Sequence, residues 1–596
     1  MNRLFRFVLV LLAVLLVMTG AIGAQEDEMP EPGEGGAVVW GNQRGSANID
    51  PINPLRCSGV DCADIYVLIY PALIGLDVAT LSHTPNVPLA LATGWEISED
   101  GITYTISLRD GMTWSDGTPI TANDVLFMWE AMNNMDPAEV SSSLASAQAN
   151  VADVRVIDDY TLEVEMNAAN CQALGSIDDL SAMPGHVYGW SPENAADFDY
   201  STIAGHPEDF APSVSAGPFK FTRLDAGTAI YFEANQGYVD AIEGGVIPEG
   251  LVYLDVPDYV VMAERLIAGQ PGDVNYIHEP DTEIVPTLEQ ADVQLFSAAG
   301  NLWHYVSLNL ADPNQSANGL DEDGNVIEQA PHPILGDVRV RQALQHAIDI
   351  DTIVNGPHAG NATAMVSGTI PSAYTIHPTL ERRPFDLEEA RRLLDEAGWV
   401  STGDPLVQGG DGLRTCDGCL YAEPGTEFII DMVNPGDVRN DVSVLLQAMF
   451  AEIGVQVEVR PLDFNTMYDD NLGTQVYDTA VAGWSGDIPF NPDQRSFFGV
   501  ENDIVSADSP GFNFGSWYNA EFEELSEFIA NNEGCDEEAI IEAAWRIQEI
   551  MWEEQPYLFL YTFNNVYAAR PEVHGFNPYP TQGTWNIDAW NVALQQ

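Results

Sequence analysis

The sequence predicts an α/β protein, because hydrophobic patterns typical of helices and of strands alternate along the chain. The clearest unit lies at 442–459, where apolar residues at helical spacing stop at Gly454 and Val455, Val457 and Val459 then alternate as a strand. A helix followed at once by a strand is the connection from which α/β sheets are built. The strands and helices are mixed throughout, and no repeat period appears in the chain.

The first third of the sequence contains a predicted strand, a turn and a helix in succession. Residues 102–109 alternate as a half-buried strand, and Asp116-Gly117 predicts a turn. Thr121 is the predicted N-cap of the helix, and Asp124 stands at the position of its capping-box partner. A second strand is predicted at 161–166. We interpret the apolar stripe of the helix as a core face.

Two further helices are predicted from their caps. Asp386 is the predicted N-cap of a helix whose apolar stripe runs to Ala397, and Gly398 is its stop. Asp536 is predicted to cap a long late helix with an apolar face.

The charge of the chain is strongly negative and narrows the classes of function. The 596 residues include 91 acidic and 21 basic residues, which gives a formal charge of −70. Apolar residues make up 45% and aromatic residues 10%, which is too many for an intrinsically disordered chain. A protein with so little positive charge does not neutralise phosphates, so we expect no nucleic-acid partner.

Residues 1–24 are predicted to be a secretory signal peptide. Arg3 and Arg6 precede an apolar run at 8–18, and small residues follow it. The run is shorter than the about 20 residues of a membrane-spanning helix. We expect cleavage after Gly23 or Ala24 and a soluble exported protein, in the periplasm or at the cell exterior. Residues 25–36 are predicted to be an acidic linker rich in proline and glycine.

Disulfides are expected, because the exported chain has an even number of cysteines. Cys57 and Cys62 flank a turn-like stretch, and Cys416 and Cys419 flank Asp-Gly, a hairpin signal. We expect each of these two local pairs to be bridged, rather than the second to be a redox or zinc motif.

Two cysteines remain outside these local pairs. Cys171 and Cys535 either pair with each other or stay free, and the sequence leaves both alternatives open.

No catalytic pattern emerges from the sequence. Gly483-Trp484-Ser485-Gly486 departs from the nucleophile elbow of hydrolases, and His278-Glu279 lacks the second histidine of a zinc protease. The acidic stretch at 321–325 resembles a calcium loop, but its twelfth position is His332 rather than glutamate. We therefore expect a protein that is not an enzyme and has no cofactor or metal of its own.

A long motif carries a family resemblance. Its matching segments are Trp95-Glu96-Ile97-Ser98, Leu108-Arg109-Asp110-Gly111, Trp114-Ser115-Asp116-Gly117 and Thr121-Ala122-Asn123-Asp124-Val125. Further segments follow in order at 217–219, 337–349, 385–399, 453–455, 483–487 and 556–558. Together they resemble the family 5 extracellular solute-binding proteins of ABC importers, of the oligopeptide- and dipeptide-binding type, over essentially the whole exported chain.

The resemblance implies two α/β lobes joined by strand crossings, with an extra subdomain in the first lobe and the ligand enclosed between the lobes. On this sequence the first lobe is expected at 37–81, 206–300 and, as a C-terminal return, 556–596. The extra subdomain is expected at 82–205 and the second lobe at 301–555.

The resemblance also implies a ligand site. In peptide-binding members a Trp and an Asp of a Gly-Trp-x-x-Asp segment meet the ligand, and the matching residues here are Trp484 and Asp487. The Asp is implied to pair with an α-ammonium group, and Gly486 before it leaves room for close backbone approach. An arginine that grips the carboxylate in dipeptide-binding members falls on Val433, which argues against a dedicated dipeptide binder.

The function expected from these observations is capture of a peptide-like or amine-bearing solute and its delivery to the membrane subunits of an ABC permease, by a monomer. An oligosaccharide-binding member of the same family is an alternative, because Trp484, Phe514, Trp517 and Tyr518 would suit stacking on a sugar. A secreted hydrolase and an acidic structural protein are the alternatives of other classes.

Overall fold

A computed structural model describes residues 36–43, 51–77, 80–87, 90–241, 248–406, 409–486, 490–532, 535–580 and 583–592. The predicted signal peptide, all of the predicted linker except Gly36, and Asp487 lie outside these ranges.

The strands and helices alternate along the chain, which confirms the predicted α/β class. The strands are β1 (Val38–Asn42), β2 (Gly75–Asp77), β3 (Ser82–Thr84), β4 (Ala92–Ile97), β5 (Thr103–Leu108), β6 (Val151–Asp158), β7 (Thr161–Met166), β8 (Phe219–Asp225), β9 (Ala229–Ala234), β10 (Gly250–Asp255), β11 (Tyr276–His278), β12 (Gln294–Leu308), β13 (Ala362–Ala364), β14 (Trp399–Val400), β15 (Thr415–Cys416), β16 (Ile429–Asn434), β17 (Gln456–Pro461), β18 (Thr479–Ser485), β19 (Tyr557–Ala569), β20 (Val573–His574) and β21 (Asn591–Val592). The α-helices are Val60–Tyr66, Ala122–Asn134, Ala145–Asn150, Ala173–Asp178, Gln236–Ala241, Tyr259–Ala268, Val285–Glu289, Val338–His346, Ile350–Asn355, Leu387–Glu396, Asp437–Ala451, Arg495–Phe498, Ala520–Asn531 and Glu537–Glu554.

The predicted helix caps are confirmed. Thr121 and Asp124 form a capping box at the start of Ala122–Asn134. Asp386 accepts hydrogen bonds from two backbone N–H groups of Leu387–Glu396, and Asp536 caps Glu537–Glu554. Gly398 adopts φ +87° just after its helix, the left-handed conformation that glycine adopts without steric cost.

One large sheet runs through both lobes. Its strand order is β17-β16-β18-β12-β19-β11-β1-β10-β9-β8, with β13 paired to β19. The two central strands, β12 and β19, pair antiparallel from Gln294–Ala569 to Ser307–Tyr557. At its C-terminal end β19 also pairs with β11 of the first lobe. At its C-terminal end β12 pairs with β18 of the second lobe. The chain therefore passes between the lobes within these two strands, as the two-lobed fold requires.

The crossing is irregular at one point. The register of β12 on β19 shifts between Ala299 and Trp303. The buried hydroxyl of Thr562 lies 3.0 Å from the Gly300 carbonyl and 3.1 Å from the Leu302 carbonyl, both possible acceptors of its proton. A β-carbon at Gly300 would stand only 2.3 Å from the Asn565 side-chain oxygen and 3.0 Å from the Phe563 carbonyl oxygen, so a larger residue here would displace the Asn565 side chain.

A separate four-stranded sheet, β4-β5-β7-β6, forms the centre of the segment expected as the extra subdomain. The helix Ala122–Asn134 buries Val125, Phe127 and Met128 in the same hydrophobic cluster as this sheet. That cluster also contains Val38 and Leu251 of the first lobe, so the subdomain and the first lobe share one continuous core.

The second lobe has hydrophobic clusters on both faces of its part of the sheet. One lies under Val338–His346, Leu387–Glu396 and Asp437–Ala451, and the other under Glu537–Glu554. The return strand β19 contributes to both: Leu558 and Leu560 to the first, Tyr557 and Phe559 to the second. The C-terminal segment expected to return to the first lobe from residue 556 thus begins inside the second lobe and reaches β11 at Tyr567–Ala569.

Three disulfides join the six cysteines. Two of them are the local pairs that the sequence singled out, Cys57 with Cys62 and Cys416 with Cys419. The third joins Cys171 to Cys535 across 364 residues, so the pairing alternative for these two cysteines is the one that the structure contains.

Candidate ligand-binding site

The strand directions bring a set of strand ends from the two lobes opposite each other. In the first lobe β1 and β11 are parallel and run toward the second lobe, ending at Asn42 and His278. In the second lobe β16 and β18 are parallel and run toward the first, ending at Asn434 and Ser485. Ligands of open α/β sheets bind outside the carboxyl ends of the strands, so this gap is the candidate site.

Trp484 lies at the end of β18 and is the centre of an aromatic group. Its ring is 5.0 Å from those of Phe497 and Phe512, 5.6 Å from Phe514 and 6.2 Å from Tyr468. A short π-helical turn at Thr466–Leu472 carries Tyr468 to this position, and such turns are frequent at functional sites. Trp484 is partly buried, so much of its ring belongs to the lobe's own core.

Part of this aromatic group remains open to solvent. Phe512 is 39% exposed, and Phe464, which stacks on Tyr468 at 5.6 Å, is 53% exposed. The Trp484 Nε1 atom is buried and has no hydrogen-bond partner among the described residues. The group can therefore offer an apolar, stacking surface beside the end of β18.

Of the other aromatic residues considered for sugar stacking, Phe514 belongs to this group and Trp517 does not. Trp517 is 3% exposed and donates its indole N–H to Glu554 at 2.7 Å. This bond joins the segment before Ala520–Asn531 to the end of Glu537–Glu554. Tyr518 is 46% exposed.

Gly483 explains the first position of the Gly-Trp segment. It pairs with His304 of β12, and a β-carbon at 483 would stand 2.9 Å from His304 Nε2. The imidazole of His304 stacks on Tyr561 at 5.0 Å, and that of His358 lies 4.2 Å from the same ring. Burial lowers the pKa of His304 to about 3 and that of His358 to about 4, so both rings are neutral at ordinary pH.

Gly486 is tied to the crossing strand. Its N–H donates to the Asn301 carbonyl at 2.9 Å, and the Asn301 side-chain amide donates to the Gly486 carbonyl at 2.8 Å. Asn301 lies within the bulge of β12, so the segment leading to Asp487 starts from the point where the chain passes between the lobes. Asp487 itself lies outside the described residues.

The described neighbours do not crowd Gly486, and its role in close approach to a ligand stays a prediction. A β-carbon there would be 3.5 Å from the Asn301 carbonyl oxygen, 3.7 Å from Ile370 and 3.7 Å from Phe490. These are ordinary van der Waals distances, so the described part of the site has room for an alanine.

The first-lobe side of the gap carries acidic groups. His278 at the end of β11 has Nδ1 4.0 Å from an Asp64 carboxylate oxygen and Nε2 3.5 Å from a Glu279 carboxylate oxygen. The ring also packs on Trp40 at 5.3 Å and on Tyr567 at 4.9 Å. Asp64 and Glu279 thus hold the imidazole of His278 between them at this edge.

Val433 does not reach solvent. It is fully buried in a cluster with Met467, Leu472 and Phe514. The position at which the resemblance places a carboxylate-gripping arginine is thus part of the second-lobe core.

Sequence reasoning missed Asn301, Tyr468 and Phe512. They come from segments far apart in the chain, and only the fold brings them to Trp484. The alternation of Phe512 and Phe514 was a weak signal that one face of this stretch packs on aromatic rings. Within the described ranges, no group of three or more His, Cys, Asp or Glu side chains is placed to hold a metal ion. No helix of those ranges has the length and apolar character of a membrane span.

Known proteins of similar sequence are solute-binding proteins. The chain is 24% identical over 570 residues to an oligopeptide-binding protein, AppA, of Bacillus subtilis, covering 94% of this chain and 93% of that protein. It is 24% identical over 545 residues to the dipeptide-binding protein of Escherichia coli, covering 88% and 89%.

The fold is shared with solved structures. The structure of HbpA2 from Haemophilus parasuis superposes with a TM-score of 0.73 at 21% identity, covering 94% of this chain and 100% of that one. The model of the bacterial extracellular solute-binding proteins, family 5 middle, matches residues 86–503. Since this match spans more than half of the sequence, the chain belongs to family 5 of the bacterial extracellular solute-binding proteins.

Proposed function

We propose that the protein is the exported substrate-binding component of an ABC importer and that it captures a peptide-like or amine-bearing solute between its lobes. The observation that carries this proposal is the pair of facing strand ends, β1 and β11 opposite β16 and β18, in two lobes that the chain connects through β12 and β19. The membrane permease is the partner to which the loaded protein delivers the solute. The relatives named for oligopeptides and dipeptides support the same class of solute.

Charge favours a solute with an amine. Asp487 directly follows Gly486, which is anchored to Asn301 at the end of the second-lobe strand β18. A carboxylate enclosed at a closing interface is stabilised by a cation, and a charge-assisted hydrogen bond is stronger than a neutral one. The buried Val433 argues against a dedicated grip on a peptide carboxylate.

An oligosaccharide is the second candidate, and the exposed rings of Phe464 and Phe512 beside Trp484 favour it. Aromatic faces stack on the apolar faces of sugars without needing charge. The two candidates therefore differ in their dependence on Asp487.

The first experiment identifies the solute. Protein purified from its native host is denatured, and the released small molecules are analysed by mass spectrometry. A panel of peptides, amines and oligosaccharides is then tested by thermal shift, since a specific ligand raises the melting temperature by mass action. Recovery of the bound solute unchanged after long incubation supports a binding protein, and its conversion would support a hydrolase.

The second experiment compares Asp487→Asn with Asp323→Asn by calorimetric titration with the identified solute. If an amine pairs with Asp487, the Asp487→Asn variant loses about 2–5 kcal/mol of binding free energy because the ligand cation stays desolvated. Asp323→Asn is the matched control, since it removes one carboxylate from an exposed turn outside the facing strand ends. If Asp487→Asn and the unchanged protein bind the solute with equal affinity, no amine pairs with Asp487, and an uncharged solute such as an oligosaccharide replaces the amine in the proposal.

Export is tested separately. Cleavage after Gly23 or Ala24 predicts an N-terminus at Ala24 or Gln25 in the exported form. N-terminal sequencing that returns Met1 would contradict the signal-peptide prediction.

A further inference from the structure

The Cys171–Cys535 disulfide lies between two parts of the molecule that are far apart in the chain. Cys171 lies just before the helix Ala173–Asp178, in the segment expected as the extra subdomain. Cys535 lies between Ala520–Asn531 and Glu537–Glu554, the helices of the second lobe. The two Cα atoms are 5.2 Å apart, within the range of a disulfide.

Both cysteines are held on rigid parts. On one side, the subdomain shares a hydrophobic core with the first lobe. Backbone hydrogen bonds from Ala182 N–H to the Pro71 carbonyl and from Leu73 N–H to the Leu180 carbonyl also join the two. On the other side, the two helices flanking Cys535 bury Phe522, Ile540 and Ile547 in a second-lobe core. The bridge therefore connects one lobe to the other.

The contact around the bridge is open, and its walls mix polar and apolar residues. A cavity of about 700 Å³ lies between the subdomain and the second lobe. Its walls include Gln172 and Asp179 on one side and Asn491 and Glu537 on the other, with the two bridged cysteines between them. Because the cavity is open, the apolar atoms of its walls do not touch the opposite lobe, so the contact gains little hydrophobic attraction beyond the packing of Cys171 on the second-lobe core.

Few hydrogen bonds of the described residues cross this contact, and they lie at the bridge. The Cys171 N–H donates to the Ala530 carbonyl at 2.7 Å, and the Asn532 amide lies 3.7 Å from the Cys171 sulfur. The covalent bond is thus the main connection between the subdomain and the second lobe.

We propose that the Cys171–Cys535 disulfide is a latch that limits how far the two lobes open. Without it, the lobes are connected through β12 and β19 and can separate by a hinge in these strands. A disulfide spans Cα atoms up to about 6.8 Å apart, so the bridged positions can separate by only about 1.6 Å more than they do here. The bridged protein admits its solute through a narrow opening and releases it slowly, whereas the unbridged protein opens fully. This inference rests on the proposed solute-binding function.

The test measures the opening without any ligand. Protein freed of solute by unfolding in guanidinium and refolding under oxidising conditions is compared by small-angle X-ray scattering with the Cys171→Ser, Cys535→Ser double variant. The latch predicts a larger radius of gyration for the ligand-free variant than for the bridged protein. Hydrogen exchange at both cavity walls, around Gln172 and Glu537, is predicted to be faster in the variant.

The matched control removes a local bridge. Cys57→Ser with Cys62→Ser deletes a disulfide within one lobe and leaves the radius of gyration unchanged. If the first double variant does not fold, oxidised protein with serine at Cys57, Cys62, Cys416 and Cys419 is treated with a water-soluble phosphine, which then has only the lobe-to-lobe bridge to reduce. Equal radii with and without the bridge would overturn the latch. Because no solute is used, that result leaves the proposed function untouched.

Discussion

The two kinds of disulfide in this protein predict very different losses of stability when they are removed. In the loop-closure model a disulfide stabilises the folded state by lowering the entropy of the unfolded chain, and the gain grows with the length of the closed loop. The sequence separation is 364 residues for Cys171–Cys535 and 5 residues for Cys57–Cys62. The model gives about 6 kcal/mol for the long loop and about 2 kcal/mol for the short one at 25 °C.

The assay is guanidinium unfolding of the oxidised protein and of the two double serine variants, followed by tryptophan fluorescence. The free energy of unfolding is obtained by linear extrapolation, and the slopes are compared so that a change in the unfolded state is recognised. We expect the variant without Cys171–Cys535 to lose about 4 kcal/mol more than the variant without Cys57–Cys62. A loss from the long-range bridge no greater than that from the local bridge would refute the reasoning.

The remaining predictions concern single side chains. Arg341→Met is expected to destabilise the second lobe by about 3 kcal/mol or more, because the buried guanidinium donates to four backbone carbonyls, those of Leu335, Gly336, Glu554 and Gln555. The control is Arg392→Met on the surface, which is expected to cost less than about 1 kcal/mol. Urea titration measures the free energy of unfolding of both variants. Asp503 is buried and its pKa is raised to about 6, so the folded state binds an extra proton between about pH 4 and 6 and stability is lost as the pH rises through 6. Asp503→Asn is therefore expected to gain about 3 kcal/mol relative to the unchanged protein between pH 4 and 8, and parallel pH profiles of the two unfolding free energies would contradict this assignment. Gly483→Ala is expected to lower the melting temperature because its methyl group meets His304, and Gly486→Ala is expected to leave it unchanged in a thermal-shift assay.

The sequence predicted helices correctly where the cap residue and the apolar stripe of the helix lie in the same short segment. The caps at Thr121, Asp386 and Asp536 are of this kind, since each cap and its helix are neighbours in the chain. The two local disulfides could be predicted in the same way, because the paired cysteines are near neighbours in the chain. The partner of Cys171 could not be predicted, since nothing near residue 171 indicates which distant segment packs against it.

The candidate site could be predicted only in part. Trp484 and Asp487 were named through a family resemblance, and the structure places Trp484 at a strand end that faces the first lobe. The group around it comes from Tyr468, Phe497 and Phe512, whose proximity depends on the packing of separate segments. The anchoring of Gly486 by Asn301 depends on a bulge in β12, and a bulge of this kind has no sequence signal of its own.

The two ends of the described chain meet in the first lobe. The Gly36 N–H donates to the Val592 carbonyl at 2.6 Å, and β1 begins two residues after Gly36. The second lobe is consequently an insertion within the first, entered through β12 and left through β19. A chain opened at an exposed second-lobe position, such as Leu420 at 60% exposure, and joined between 36 and 592 would keep every strand pairing while moving both termini to the other lobe. Fluorophores attached to the original ends and to the permuted ends would then report on opposite sides of the same hinge.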